Sequence, residues 1–462
     1  MPATSAGCLS REALMAPIVA GRQPRWHPAT LEPMNTAPVL HAATVDITDH
    51  PALPCDLLEL ASPSPTTVTW LRDGDGFVGV GRVADHQANG AGRFAELSAW
   101  WRAVAAQAHN DDPVQLFGSG LLACGSAAFA PTSERRSRLV VPRVVVGRRA
   151  GRAWLTVIDS APVASPRPDA VLAQLRAAHT PPTTPSAPRT RPGALRRSQW
   201  QAAVGEAIEL LRAGKLAKVV LARDLAIDFA APLDVRSPLG SLTRTYPNCW
   251  TFAIDGLLGA TPEMLVRLDQ GLVTCRVLAG TIHRTGDDDA DAARAGSLAR
   301  SSKNLAEHEY AVQSVADALA SHCATLNVPE HPFVLQLANV MHLATDVTGV
   351  LPAGSPTSSL QLAAALHPSA AVGGTPRAAA LAQIARLEKM DREAYAAPVG
   401  WLGADGNGEW GIALRCGQLS PDGRSLRLFA GGGVLAESDP AAELAETEAK
   451  MRPMLTAVGL AH

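Results

Sequence analysis

The sequence predicts an α+β fold, with mixed, largely antiparallel sheets and helices on their outer sides. Three observations carry that expectation. Short apolar stretches bounded by turn residues recur along the 462-residue chain. No sustained strand–helix–strand alternation appears, which argues against a wholly parallel sheet. Hydrophobic residues make up 47% of the chain, enough for a sizeable core. At roughly 150 residues per domain the length would suit about three domains, although large sheet-rich enzymes often form one unit.

Residues 1 to about 45 are rich in Ala, Pro and Thr without periodicity and read as a loose leader. From 66 the pattern TTVTWL, Asp73-Gly74-Asp75-Gly76, FVGVGR reads as strand, turn, strand. A helix is expected near 91–108, then strands near 138–147 and 152–158. Prolines at 181, 182, 185, 188 and 192 argue against regular structure over 180–193. Beyond it, Ser198 is a candidate cap for a helix through Arg212, ended by Gly214. Strands KVVLARDLAIDF and WTFAID follow, then a hairpin of LVRLD and LVTCRVLAG joined at Gln270-Gly271. A long helix is expected over 301–324 and a strand over 340–350. Strands near 409–416 and 426–430 precede a last helix over 440–457, capped by Asp439 with Pro440 in its first turn.

Charge and cysteine content exclude several classes. A net charge of −2 offers no basic footprint for nucleic acid. No apolar run approaches the roughly 18 residues of a membrane-spanning helix. Seven scattered cysteines without a CxxC pair indicate neither a disulfide framework nor a zinc site. A cytoplasmic protein is expected. Lysine is scarce: only Lys215, Lys218, Lys303, Lys389 and Lys450 stand among 41 basic residues. Where lysine persists in an arginine-rich chain, an amine able to lose its proton is one reason.

The segment Gly74–Gly79 matches a dinucleotide-binding glycine pattern. It continues as a strand, though, and the pattern requires a helix N-terminus next. It reads as a hairpin turn. In LGATPEML, Thr261 reads as a cap and Pro262 as the first helical residue, which puts Glu263 beside exposed amides. Lys218 begins the apolar strand KVVLAR. Glu307 lies three residues after Asn304 on the 301–324 helix, and Glu443, Glu446 and Lys450 share one face of the last helix. Carboxylates from two helices could hold Mg²⁺, which takes few carboxylates plus substrate oxygens. Two glycine-rich stretches, Ala371–Pro376 and Ala430–Gly433, would let backbone approach an anion. Taken alone, each feature is better explained by an ordinary glutamate in a first helical turn, solvated helix faces, a lysine that reaches out to solvent, or plain turns.

In order, these pieces resemble the chorismate-utilising enzymes: isochorismate, salicylate, anthranilate and aminodeoxychorismate synthases. The resemblance spans about 198 to 457 and rests on KVVLAR (218–223), GATPEML, LAGT (278–281), KNLAEH (303–308) and VMHLATDVTG (340–349). It continues through LHPSAAVGGTPR (366–377), YAAPVGW (395–401), ALRCG (413–417) and AGGGVLAESDPAAELAETEAK (430–450). It implies a single domain of two large β-sheets packed as a sandwich with helices outside. Residues 46–180 would contribute strands, 181–196 would be a linker or surface loop, and 197–458 would form the chorismate-binding catalytic region. By the same resemblance, Lys218 matches the general base and Glu263 the general acid. Glu307 and Glu446 match Mg²⁺ ligands, with Glu443 beside the metal. Arg415 and Lys450 match groups that hold substrate carboxylates, while His342, Thr281, Gly374 and Tyr395 match the pocket lining.

The chemistry agrees with that assignment. Chorismate is a dianion, suited to a pocket with Mg²⁺, an arginine and a lysine. Moving a hydroxyl from C4 to C2 needs a base for water and an acid for the departing hydroxyl, on opposite sides of the ring. Relatives that add ammonia typically carry glutamine where Lys218 stands, and aminodeoxychorismate synthases often carry lysine where Ala279 stands. LLEL (57–60) only approximates the LLES effector motif of anthranilate synthases. There is no glutaminase-like segment, so no glutaminase subunit is expected, and a monomer is the family default. The expectation is an Mg²⁺-dependent isochorismate synthase of menaquinone or siderophore biosynthesis. Salicylate synthase, which goes on to eliminate pyruvate, is the alternative, and a catalytically dead binding protein of the same fold is the third. Three departures from the family pattern are Val277, Asn304 in place of a frequent acid, and Gly432 in place of a common alanine.

Overall fold

Hairpins are the repeating unit of the structure. Val68–Arg72 and Asp75–Val80 pair antiparallel through Asp73 and Gly74, whose φ values are 51° and 79°. Two successive positive φ angles make the turn that suits strand twist, so the glycine pattern is a hairpin and not a nucleotide loop. Met264–Asp269 and Leu272–His283 likewise join at Gln270-Gly271, with φ of 50° and 83°. The computed structural model describes residues 37–177, 180–336 and 340–460, apart from the side chains of Thr281, His283, Lys303 and Glu307.

Among these residues the strands form two sheets of 13 and 10 strands. The larger runs from Arg189–Pro192 through Lys218–Asp228, Ser425–Val434, Cys416–Leu419, Leu257–Thr261 and Trp250–Ile254 to the N-terminal strands, ending at His109–Asp111. The smaller is centred on Leu272–His283, Met264–Asp269, Gly408–Ile412 and Pro398–Gly403. Pairing is antiparallel except between His41–Asp46 and His109–Asp111. The N-terminal region therefore shares both sheets with the C-terminal region, as the single-domain expectation requires.

Alternation along the strands sorts side chains to two faces. Trp70 and Phe77 point into the core between the sheets, while Leu71 and Val78 point to the outer face of the larger one. Across the sandwich, Phe77 meets Trp401 edge-on with ring centroids 5.8 Å apart. Buried Glu409 of the smaller sheet accepts from the indole N–H groups of Trp70 (2.7 Å) and Trp250 (3.0 Å) of the larger. Helix Arg236–Thr245 and the end of helix Pro440–Ala457 cover the outer face through Leu239, Leu242, Met454 and Ala457.

Several expected elements are redrawn. The expected leader does not extend to 45, because His41–Asp46 is a strand with Ala42, Ala43 and Thr44 buried; residues 1–36 lie outside the described residues. The proline-rich stretch ends in a strand, Arg189–Pro192, paired to Lys218–Asp228. Proline is tolerated there because the strand is an edge. The first helix after it begins at Arg197, and Gln199 Oε1, not Ser198, accepts the amide of Arg196 (2.9 Å). The helix expected over 301–324 is Ser302–Ala320, preceded by a separate helix, Asp288–Arg300. The strand expected over 409–416 is two strands, Gly408–Ile412 in the smaller sheet and Cys416–Leu419 in the larger. Among the described residues no helix is long and apolar enough to cross a membrane, and six cysteines are free.

Candidate active site

Glu263 corrects the sequence reading. It does not open a helix. Pro262 and Glu263 carry the chain from strand Leu257–Thr261 of the larger sheet to Met264–Asp269 of the smaller. Beside this crossing, Ala413–Arg415 carries the chain back from Gly408–Ile412 to Cys416–Leu419. The two crossings are bonded to each other. The Thr261 hydroxyl donates to the Ile412 carbonyl (2.6 Å), the Ile412 amide to the Glu263 carbonyl (3.0 Å), and the Ala260 amide to the Arg415 carbonyl (3.2 Å). Thr–Pro–Glu resembles a helix start, but here the neighbouring strand supplies the partners that a helix would have supplied. Arg415 adopts φ 49°, which turns the chain at the second crossing.

Around the crossings lies a cavity of about 280 Å³. Its wall includes Lys218, Glu263, His342, Tyr395, Arg415, Glu443, Glu446 and Lys450. Lys218 is the first residue of its strand and is half-buried. His342 comes from strand Val340–Val350 of the smaller sheet. Tyr395 precedes strand Pro398–Gly403, and its ring stacks on Phe429 at 5.4 Å. The three C-terminal groups come from helix Pro440–Ala457, where Asp439 accepts the amide of Ala442 (2.8 Å) and Pro440 lies in the first turn, as its sequence predicts.

The electrostatics are uneven. Burial pushes the Glu263 carboxyl up to about 7, against the pull of Arg415, Lys218 and Lys450. Burial, then the positive charges of Arg415 and Lys450, holds His342 down at about 4, so its imidazole is neutral at pH 7. Burial also lowers the Lys450 ammonium, with Glu446 opposing it. Lys450 Nζ lies 2.5 Å from Glu446 Oε1 and donates to the Gly431 carbonyl (2.9 Å). Glu443 Oε1 accepts from the Ser438 hydroxyl (2.8 Å). A Cβ on Gly432 would stand 2.7 Å from Glu443 Oε2 and 3.8 Å from Glu446 Oε1, so both carboxylates converge on one patch of the wall.

Of the other expected residues, one stands apart from this group and two have side chains outside the described residues. Gly374 does not line the cavity. It packs behind Lys218, where a Cβ would come 2.4 Å from the Lys218 carbonyl oxygen. The Thr281 backbone pairs with His342, but its side chain lies outside the described residues, as does that of Glu307. The helix bearing Glu307 packs on strand Leu272–His283, and its Asn304 reaches the cavity. Sequence reasoning missed the wall residues Leu278, Val372, Leu414 and Leu435, which carry no chemical signature, and Ser438, whose place before the Asp439-Pro440 cap was a usable signal. A larger cleft of about 620 Å³ holds Arg138 and Arg427, but these guanidiniums bridge Asp85 to Asp255 and Asp224 to Glu393.

The chain resembles known proteins over nearly all of its described length. It is 34% identical over 452 residues to the salicylate biosynthesis isochorismate synthase of Pseudomonas aeruginosa, covering 91% of each chain. It is 30% identical over 405 residues to isochorismate synthase MenF of Bacillus subtilis, covering 83% of this chain and 85% of the relative. The structure of the menaquinone-specific isochorismate synthase MenF from Escherichia coli superposes with a TM-score of 0.73 at 26% identity, over 92% of this chain and 95% of that one. A family model described as chorismate binding enzyme matches residues 37–459. With that match spanning both sheets and the whole cavity, the chain belongs to the chorismate-binding enzyme family.

Proposed function

We propose that this protein is an isochorismate synthase, converting chorismate to isochorismate. The observation that carries the reading is the arrangement of Lys218 and Glu263. They enter one cavity from separate elements, alongside the cationic Arg415 and Lys450. The names of its relatives, among them menaquinone-specific, salicylate-biosynthesis and vibriobactin-specific isochorismate synthases, support the same reaction and a place in menaquinone or siderophore biosynthesis.

In this reading the Lys218 amine takes a proton from a water molecule as its oxygen bonds to C2. The ring double bonds shift and the C4–O bond breaks with its electron pair. Glu263, whose carboxyl keeps its proton up to about neutral pH, donates that proton so the group leaves as water. Solvent exchange then returns a proton to Glu263 and removes one from Lys218. Arg415 and Lys450 hold the substrate carboxylates. Neutral His342 can donate or accept a hydrogen bond without adding charge.

The converging carboxylates of Glu443 and Glu446 fit Mg²⁺, which binds through one or two carboxylates plus substrate oxygens. Glu307 on the neighbouring helix is the proposed further ligand. Bound Mg²⁺ would neutralise and orient the ring carboxylate.

The test is purified protein with chorismate and Mg²⁺, products resolved by chromatography. Isochorismate is expected; salicylate with pyruvate would make the protein a salicylate synthase, and no turnover would overturn both readings. Lys218→Arg is expected to lose activity while keeping the fold, since a guanidinium does not give up its proton. Substantial turnover by that variant removes Lys218 from the base role.

A further inference from the structure

Strand Lys218–Asp228 has one complete neighbour and one broken edge. On one side it pairs with Ser425–Val434 from Val219 to Asp228. On the other, Gly374–Thr375 covers Lys218 and Val219, and Arg189–Pro192 covers Leu225 to Asp228. Among the described residues no strand covers the stretch between.

The backbone groups at Val220 and Ala222, on that uncovered edge, are nonetheless paired. The Val220 amide donates to the Gly373 carbonyl (2.9 Å), and the Ala222 carbonyl accepts from Trp200 Nε1 (3.0 Å). The Ala222 amide donates to Glu388 Oε1 (2.7 Å), and the Val220 carbonyl accepts from Arg392 Nη2 (2.8 Å). The other arm of the same guanidinium, Nη1, donates to the Val372 carbonyl (2.8 Å). Glu388 and Arg392 lie 2.6 Å apart, with side chains 1% and 2% exposed.

A charged pair withdrawn from water is costly, and apolar residues of similar volume are often no less stable. Apolar residues could not, however, grip two carbonyls and an amide. Val220 and Val372 both line the cavity, and both belong to the segments that pair beside Lys218. We propose that Glu388 and Arg392 are positioning residues for Lys218. The forked guanidinium ties the lysine's strand to the Ala371–Gly374 segment, and Glu388 fixes the register of that strand at Ala222. Together they set where the Lys218 amine stands against the substrate. The proposal rests on the isochorismate synthase reading, in which Lys218 is the base.

The experiment compares wild type with the double variant Glu388→Leu/Arg392→Met on chorismate and Mg²⁺. Arg415 and Lys450 lie on other elements, so substrate binding should be spared. The expected result is a kcat lower by about tenfold or more with KM within about twofold, since small misplacements of a reacting group are costly. Tm is expected to fall by several degrees, because the Ala222 amide and the Val220 and Val372 carbonyls lose their partners, while a near-UV circular dichroism that matches wild type at the assay temperature makes the kcat loss one per folded molecule. An active wild type with an equally active double variant overturns the proposal alone. So does a loss of kcat that merely tracks a loss of folded protein. If the double variant does not fold, Arg392→Lys decides, because it keeps a cation beside Glu388 but lacks the fork. A kcat about fivefold lower at unchanged Tm supports the proposal, and wild-type kcat overturns it. A wild type that leaves chorismate untouched overturns the functional reading and this proposal with it.

Discussion

The Glu263 carboxyl is raised by burial from an ordinary 4.5 to about 7, which makes it an acid at neutral pH and a burden on stability above it. Between those two values the folded state binds more protons than the unfolded state. The stabilising share of this group is therefore complete below pH 4.5 and lost as pH rises through 7. Glu263→Gln, which carries no charge at any pH, should stabilise the protein at pH 8.5 by up to about 3 kcal/mol and change it little at pH 4.5. It should also abolish turnover. Urea denaturation at the two pH values checks the first claim; equal effects at both would mean that Glu263 is not held protonated by its surroundings. The identity of the residue could be picked out from GATPEML, but its environment could not. Burial came from a sheet crossing, whereas the sequence suggested an exposed first helical turn.

At the scale of elements, the glycines separate backbone needs from side-chain needs. Gly374 has φ 144°, and a Cβ there would meet the Lys218 carbonyl at 2.4 Å and Ala380 Cβ at 2.8 Å. Gly374→Ala should cost about 2–4 kcal/mol and depress kcat by moving the start of the Lys218 strand. At Gly432 the nearest atom is instead the far end of the Glu443 side chain. Gly432→Ala should leave Tm nearly unchanged and weaken Mg²⁺ binding, read by calorimetric titration. Equal Tm losses in the two variants would contradict this distinction. Hairpins and the capped last helix were legible because turn and cap chemistry is local. The helix Arg236–Thr245 was not, since Pro238 and Gly240 mask its periodicity and only the outer face of the larger sheet gives Leu239 and Leu242 a place to bury.

At the scale of the whole molecule, the two sheets are joined across the core as well as along the chain. Glu409 is the clearest example, accepting from Trp70 and Trp250 across the sandwich. Glu409→Ala would leave two buried indole donors without that acceptor, at a cost of about 2–5 kcal/mol. Because Glu409 lies away from the cavity wall, kcat per folded molecule should be retained; a kcat loss as large as that of Lys218→Arg would mean that the core pair and the site are coupled. The sequence by itself determined the antiparallel α+β class, most strand positions, and the ordered motifs that carry Lys218, Glu263, Arg415, Glu443, Glu446 and Lys450. Those follow from alternation, turn chemistry and motif spacing, all of which are written within short windows. Only the tertiary structure decided that Pro262-Glu263 and Ala413–Arg415 cross between sheets side by side, and that an ion pair fills the open edge of the Lys218 strand. Both depend on partners more than 140 residues apart in the chain, Ile412 for Glu263 and Arg392 for Val220. Local pattern does not record which distant backbone group will satisfy an amide or a carbonyl, and in this protein that long-range pairing places Lys218, Glu263 and Arg415 around one cavity.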